Sequence, residues 1–167
     1  MPIKKFWQWY EKTERVQITL AFFLFILQII HLVWLSGEVV IPRLFGVSLF
    51  SIEGIYAVLI AVIDYIEIPA LITVNLVYIN SLRKKEKPAL PIVALILVNS
   101  QWLHLFWITD EIIVEHFTEG NSIVFHPILA WIAILIDYAE IPVMIDLARR
   151  FICIYKNPDN KSVCYSK

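Results

Sequence analysis

The sequence has few charged residues and no flexible linker. Charged residues account for only 17% of the 167 positions, whereas 59% are hydrophobic and the mean hydropathy is +0.71. A soluble domain of this length could not bury so much apolar surface. No Ser/Gly-rich or low-complexity stretch divides the chain, which indicates a single integral membrane domain over residues 1–167. There is no nucleotide-binding loop, nucleophile elbow or zinc-protease motif, and the net charge of −1 gives no sign of nucleic-acid binding.

Four apolar stretches are long enough to cross a bilayer, which takes about 20 residues of helix. They are residues 16–36, 52–81, 89–108 and 123–148. Pro69 and Pro142 lie inside the second and fourth, where a membrane helix can persist with a kink. The sequence therefore predicts an all-α bundle of four transmembrane helices.

The basic residues are distributed unevenly along the chain. Thirteen of the fourteen Lys and Arg residues precede the first stretch, lie between the second and third, or lie at and after the end of the fourth, and Arg43 is the exception. Because Lys and Arg are enriched in cytoplasmic loops, both termini and the central loop are predicted to be cytoplasmic, in a cell membrane.

The chain also matches itself at an offset of 73 residues, and the matched positions are mostly polar. The equivalent pairs are Gln28 and Gln101, His31 and His104, Glu38 and Glu111, Asp64 and Asp137, Tyr65 and Tyr138, Glu67 and Glu140, and Pro69 and Pro142. Because each copy contains an even number of helices, both copies are expected to cross the membrane in the same orientation. This predicts two tandem two-helix repeats, at about residues 13–85 and 86–158, with a pseudo-twofold axis along the membrane normal.

The repeated acids and histidines are predicted to lie at one depth in the outer half of the bilayer. His31 and Glu67 are each about 24 Å, at 1.5 Å of rise per residue, from the nearest basic residue of their own helix, Arg15 or Arg83. A carboxylate inside a membrane costs about 3 kcal/mol, and no Lys or Arg stands at that level to neutralise it. One or two divalent metals would supply the missing charge, and His with Asp and Glu suits iron, zinc or manganese.

The predicted ligands resemble, in number and type only, those of the ferritin-like di-iron and di-manganese bundles. Those proteins place Glu and His together as Glu-x-x-His on one helix, whereas here the two types stand on different helices, so the likeness is one of chemistry. The direct ligands are predicted to be His31, His104, Glu67 and Glu140, with Asp64 and Asp137 as terminal ligands or their partners.

Further polar residues are predicted to support this site. Those expected to hydrogen-bond the ligands are Gln28, Gln101, Tyr65 and Tyr138. Glu38 and Glu111, about 10 Å above the histidines, would gather cations at the outer mouth, or would simply be solvated at the helix ends.

These features favour a metal-dependent membrane enzyme of oxidoreductase or hydrolase type, which activates water or oxygen for a lipid-soluble substrate. One alternative is a divalent cation or proton transporter or sensor, for which four short helices would have to form a homodimer. A second is a haem b protein with His31 and His104 as axial ligands. The last is a non-catalytic membrane assembly subunit, whose bundle binds a larger complex. In place of a metal, the carboxyl groups would be protonated and hydrogen-bonded across the bundle, or would form a proton relay.

Overall fold

The computed structural model describes residues 2–47, 49, 55–84, 88–109 and 127–157, and these residues are helical, without strands. The α-helices of this part of the chain are α1 (Pro2–Lys12), α2 (Glu14–Ile26), α3 (Gln28–Trp34), α4 (Ile41–Phe45), α5 (Ile55–Arg83), α6 (Ala89–Thr109), α7 (Pro127–Tyr138) and α8 (Ile141–Lys156). A π-helical turn, Leu35–Val40, joins α3 to α4. The all-helical prediction is therefore confirmed for the described residues.

Three helical segments of the described chain are long and apolar enough to cross a membrane. They are Glu14–Phe45, which joins α2 to α4, then Val62–Arg83 and Ala89–Phe106. The fourth predicted stretch, residues 123–148, covers α7 and the first half of α8. These helices have 12 and 16 residues, each fewer than the roughly 20 residues of a full crossing.

The separation of α7 from α8 has a local cause. Pro142 has no backbone N–H to donate to the carbonyl of Tyr138. The Glu140 N–H donates instead to the Asp137 carbonyl at 3.1 Å, which closes a tighter turn than that of an α-helix. Helix α5, by contrast, continues through Pro69. The α-helical bonding is thus interrupted at Ala139 and Glu140, next to the proline at which the sequence predicts a kink in the fourth helix.

The helices pack side by side with polar groups inside and apolar groups outside. Helix α2 contacts α5 and α8, α5 contacts α6, and α6 contacts α7 and α8. Large apolar side chains stay exposed on the outer faces, such as Val33 (57%), Ile96 (65%) and Leu135 (66%), whereas His, Asp, Glu, Gln and Arg side chains are buried. Membrane bundles show this distribution, because their ionisable residues face the interior and their apolar faces contact lipid.

The buried apolar side chains form two groups on either side of a set of buried polar residues, which we call the polar level. It consists of His31, Asp64, Glu67, His104, Asp137 and Glu140. We call the end of the bundle that carries Arg15, Arg83 and Lys156 the basic end. The larger apolar group, which includes Phe25 and Leu71, lies between the polar level and the basic end. The smaller group lies beyond the polar level and consists of Leu32, Leu35 and Ile134. Apolar packing thus encloses the polar level along the bundle axis.

A second polar network lies at the basic end. Arg150 is buried, its Nε donates to Asp146 Oδ2 at 2.7 Å, and its Nη1 donates to Ser81 Oγ at 2.8 Å. The Tyr78 hydroxyl donates to the same Asp146 oxygen at 2.9 Å, and the Arg150 guanidinium lies 5.2 Å from the centre of the Tyr78 ring. This network joins α5 to α8 and fixes the ends of the helices that carry the carboxylates of the polar level.

Replacing Asp146 with Ala should destabilise the bundle, because the buried Arg150 guanidinium would lose its carboxylate partner. Breaking a buried ion pair from one side costs about 3 kcal/mol or more. Thermal unfolding of the purified protein in detergent measures this loss. The control is Arg149→Ala, at the exposed neighbouring position, which should leave the stability nearly unchanged. Equal stability of wild type and Asp146→Ala would contradict this account of the network.

Candidate metal centre

His31 lies between two aspartates from different helices. It is carried by α3, it is buried, and its Nδ1 lies against Oδ1 of Asp64 on α5. Its other nitrogen, Nε2, is 3.7 Å from Oδ2 of Asp137 on α7. The imidazole therefore presents one nitrogen to each half of the chain.

His104 reaches the same aspartate from α6. Its Nδ1 is 2.9 Å from Oδ1 of Asp137, and the His31 and His104 rings are 5.5 Å apart at their centres with an angle of 75° between their planes. Each of His31, His104 and Asp137 can offer one ligand atom such that the three atoms lie within 4.8 Å of one another. These three buried residues could hold a metal ion.

Glu67 and Glu140 form the other part of the cluster. Each is 4% exposed, and their side chains lie within hydrogen-bonding reach of each other. Glu67 also lies close enough to interact electrostatically with Asp64 and Asp137. Two buried carboxyl groups in contact require either a shared proton or a cation.

All six predicted ligands contribute buried atoms that lack a hydrogen-bond partner. Among the described residues, nine buried side-chain nitrogen and oxygen atoms are unpartnered, and seven of them belong to these six residues. The seven are His31 Nδ1 and Nε2, Asp64 Oδ1, Glu67 Oε1, His104 Nδ1, Asp137 Oδ2 and Glu140 Oε1. Five of the seven atoms belong to the imidazole–aspartate pairs described above, whereas Oε1 of Glu67 and Oε1 of Glu140 take part in none of them. Buried polar atoms without a partner are costly, which makes the two glutamates informative.

Gln28 and Gln101 connect neighbouring helices next to the aspartates. Gln28 Nε2 donates to the carbonyl of Ile63 at 3.3 Å, and Gln101 Nε2 donates to the carbonyl of Ile136 at 2.7 Å. Each carbonyl belongs to the residue just before an aspartate of the site. The two glutamines were predicted to hydrogen-bond the ligands, whereas the structure has them on backbone carbonyls, from where they fix the position of the chain that carries each aspartate.

The two tyrosines differ in their surroundings, and so do the two outer glutamates. Tyr138 Oη is 2.5 Å from Oγ of Ser36 in the π-helical turn, and Tyr65 is half-buried. Glu38 is half-buried in the same turn, while Glu111 lies outside the described residues.

Sequence reasoning missed Ser36, because nothing in its apolar surroundings indicates that a π-helical turn follows Trp34. The Arg150 and Asp146 pair was also missed, although its i, i+4 spacing was a usable signal.

Several contacts recur at the same offset. The Gln28 to Ile63 bond has its equivalent in Gln101 to Ile136, and the His31 to Asp64 contact has its equivalent in His104 to Asp137, with 73 residues between the matched members. The equivalence has one exception, because Asp137 contacts both imidazoles.

No known protein family matches this chain, and neither a curated protein nor a solved structure shows significant similarity to it. The function of the chain must therefore be inferred from the site itself.

Replacing Gln28 or Gln101 with Leu should each lower the stability by about 1 kcal/mol, because each change removes one hydrogen bond between helices. The two bonds join different helix pairs, so the double variant should lose about the sum. Thermal unfolding in detergent measures both effects, with Gln8→Leu in the exposed part of α1 as the control. Stability unaffected by either change would show that these bonds do not hold the helices together.

Proposed function

We propose that this chain is a metal-dependent membrane enzyme that binds a divalent metal through His31, His104 and Asp137 inside the bilayer. The observation that carries the proposal is that ligand atoms of these three buried residues lie within 4.8 Å of one another, in a cluster with three further buried carboxyl groups. A metal ion accepts several such ligands at once and would supply positive charge to the cluster. Iron, zinc and manganese suit this mixture of imidazole and carboxylate.

The donor set fits a catalytic metal. His31 Nε2 faces Asp137, and its opposite nitrogen faces Asp64, so Asp64 would hold the ring in the orientation and tautomer that a metal ligand needs. Three protein ligands leave a coordination position for water or substrate, as catalytic zinc sites do. A metal bound there would polarise a substrate group or lower the pKa of water. The apolar outer faces of the helices favour a substrate that arrives from the lipid.

We also propose that α7 and α8 together form a fourth crossing, which makes a four-helix membrane bundle of two repeats, at about 13–85 and 86–158. The contacts that recur between the two halves support a duplication, and the helix contacts support a closed bundle. The distribution of Lys and Arg supports cytoplasmic termini in a cell membrane. In that orientation the metal centre lies in the outer half of the bilayer.

Transport of a cation or proton is a weaker interpretation of the same site. The buried apolar group that includes Phe25 and Leu71 lies between the metal centre and the basic end. From Glu67 to Asn80 on α5, the distance along the helix is about 20 Å. A transported ion would have to cross this apolar packing, which offers it few ligands, unless a homodimer provided another path.

A haem between the two histidines fits poorly. Asp137 contacts the nitrogens of both imidazoles at 2.9 and 3.7 Å, and it therefore occupies the space that a porphyrin would need. A haem bound there would also provide no cation for Glu67 and Glu140. A role as a non-catalytic assembly subunit would become the better proposal if the protein bound no metal.

Elemental analysis of the purified protein should find at least one equivalent of iron, zinc or manganese. Asp137→Ala should lose this metal, because Asp137 contacts both histidines. Glu11→Gln removes an exposed carboxylate outside the site and should retain the metal, which makes it the matched control. Folded wild-type protein without stoichiometric metal would refute the proposal.

Protein loaded with Co²⁺ should show an exchangeable coordination position, because three protein ligands do not fill the coordination sphere. Adding azide should change the visible spectrum of the Co²⁺ protein. A spectrum insensitive to azide would indicate a closed structural site and would exclude a catalytic role for the metal.

A further inference from the structure

We propose that Glu67 and Glu140 bind a second cation, at a position chemically different from the His31, His104 and Asp137 site. The inference rests on the proposed function, because it assumes that the histidine site holds the first metal. The second cation would be a hard one such as Mn²⁺, held by carboxylate oxygens alone. The cluster would then hold two unlike ions rather than a symmetric pair.

The contacts of the site divide it into two parts. Both imidazoles lie on aspartates, and Asp137 contacts the two of them. The two glutamates instead lie within hydrogen-bonding reach of each other. Glu67 follows Asp64 by three residues on α5, which puts the two side chains about one helical turn apart. The glutamate pair therefore lies beside the histidine site without sharing its nitrogen donors.

The buried charge favours a second cation. The cluster contains four carboxylates and two imidazoles, and the ion pairs that these residues make in the described part of the chain are with one another. One divalent ion would leave two negative charges inside the bilayer, where an ionised carboxylate costs about 3 kcal/mol or more. A second divalent ion would balance the remaining charge.

A shared proton is the competing arrangement, and it leaves more atoms unsatisfied. One proton can join a single oxygen of Glu67 to a single oxygen of Glu140. The Oε1 atoms of both residues are buried and have no hydrogen-bond partner, and Asp64 lies close enough to Glu67 to interact with it electrostatically. A cation can accept several of these oxygens together, because hard ions bind six or more oxygen ligands in flexible arrangements.

The ligand types predict different preferences for the two positions. Two imidazoles and a carboxylate favour zinc or iron, whereas carboxylates alone favour manganese or magnesium and bind them less tightly. The second position should therefore be filled after the first and should be emptied more easily by a chelator.

The test uses full-length protein in detergent, stripped of metal, loaded with one equivalent of Zn²⁺ and then titrated with Mn²⁺ under electron paramagnetic resonance. Wild type should bind about one equivalent of Mn²⁺ while it keeps its Zn²⁺. Glu67→Gln and Glu140→Gln should each weaken Mn²⁺ binding by roughly tenfold or more and retain the Zn²⁺, because loss of even an outer partner of a metal ligand has effects of that size. Glu11→Gln should bind both ions like the wild type. Retained Zn²⁺ also shows that the variants are folded.

A further measurement needs no variant. Wild-type protein with two equivalents of Mn²⁺ should show magnetic coupling between neighbouring ions. Binding of Zn²⁺ with no Mn²⁺ site would overturn this inference and leave the proposed function intact, and it would favour the shared proton. Unweakened Mn²⁺ binding in Glu67→Gln, or loss of both ions together, would also overturn it. Failure to bind Zn²⁺ at all would refute the proposed function itself.

Discussion

The requirement that charge inside a bilayer be neutralised governs this molecule. Four buried carboxylates share one level with two imidazoles, and the large apolar side chains around them face outward. Four helices contribute to that level: α3 and α6 supply the histidines, α5 and α7 supply the aspartates, and the last glutamate directly precedes α8. Without a counter-charge, packing these ionised carboxylates together would be unfavourable, so a cation bound at this level would also stabilise the bundle.

Buried charge occurs at two levels of the molecule, and its surroundings differ between them. At the basic end, the Arg150 guanidinium neutralises Asp146 directly, with Ser81 and Tyr78 completing the hydrogen bonds. At the polar level, the described contacts of the acids are with histidines and with one another. The first network is satisfied by the chain itself and is structural. In the second, the described ion pairs of the acids include no Lys or Arg, and this is the reason to propose a bound cation there.

Helical spacing and the match of the sequence to itself at an offset of 73 residues were sufficient to predict which polar residues lie close together. His31, His104, Asp64, Asp137, Glu67 and Glu140 do form one connected cluster. The spacing did not predict the detailed arrangement, in which Asp137, expected to be a terminal ligand or a partner, contacts both imidazoles. Such an arrangement depends on rotamers and on the rotation of each helix, to which a spacing argument is insensitive. The π-helical turn and the turn at Ala139 depend on local backbone hydrogen bonding. Similar sequences around Pro69 and Pro142 differ in this respect, because α5 continues through Pro69 whereas a new helix begins next to Pro142.

That difference between the two prolines gives the two glutamates of the cluster unlike backbones. Glu67 lies within the continuous helix α5, which runs through Pro69. Glu140 stands at the junction of α7 and α8, where its N–H donates to the Asp137 carbonyl at 3.1 Å and its own carbonyl accepts from the Met144 N–H at 2.9 Å. Two residues that are equivalent in the sequence therefore present their carboxyl groups from backbone of different geometry, and a cation bound between them would meet two unlike ligands.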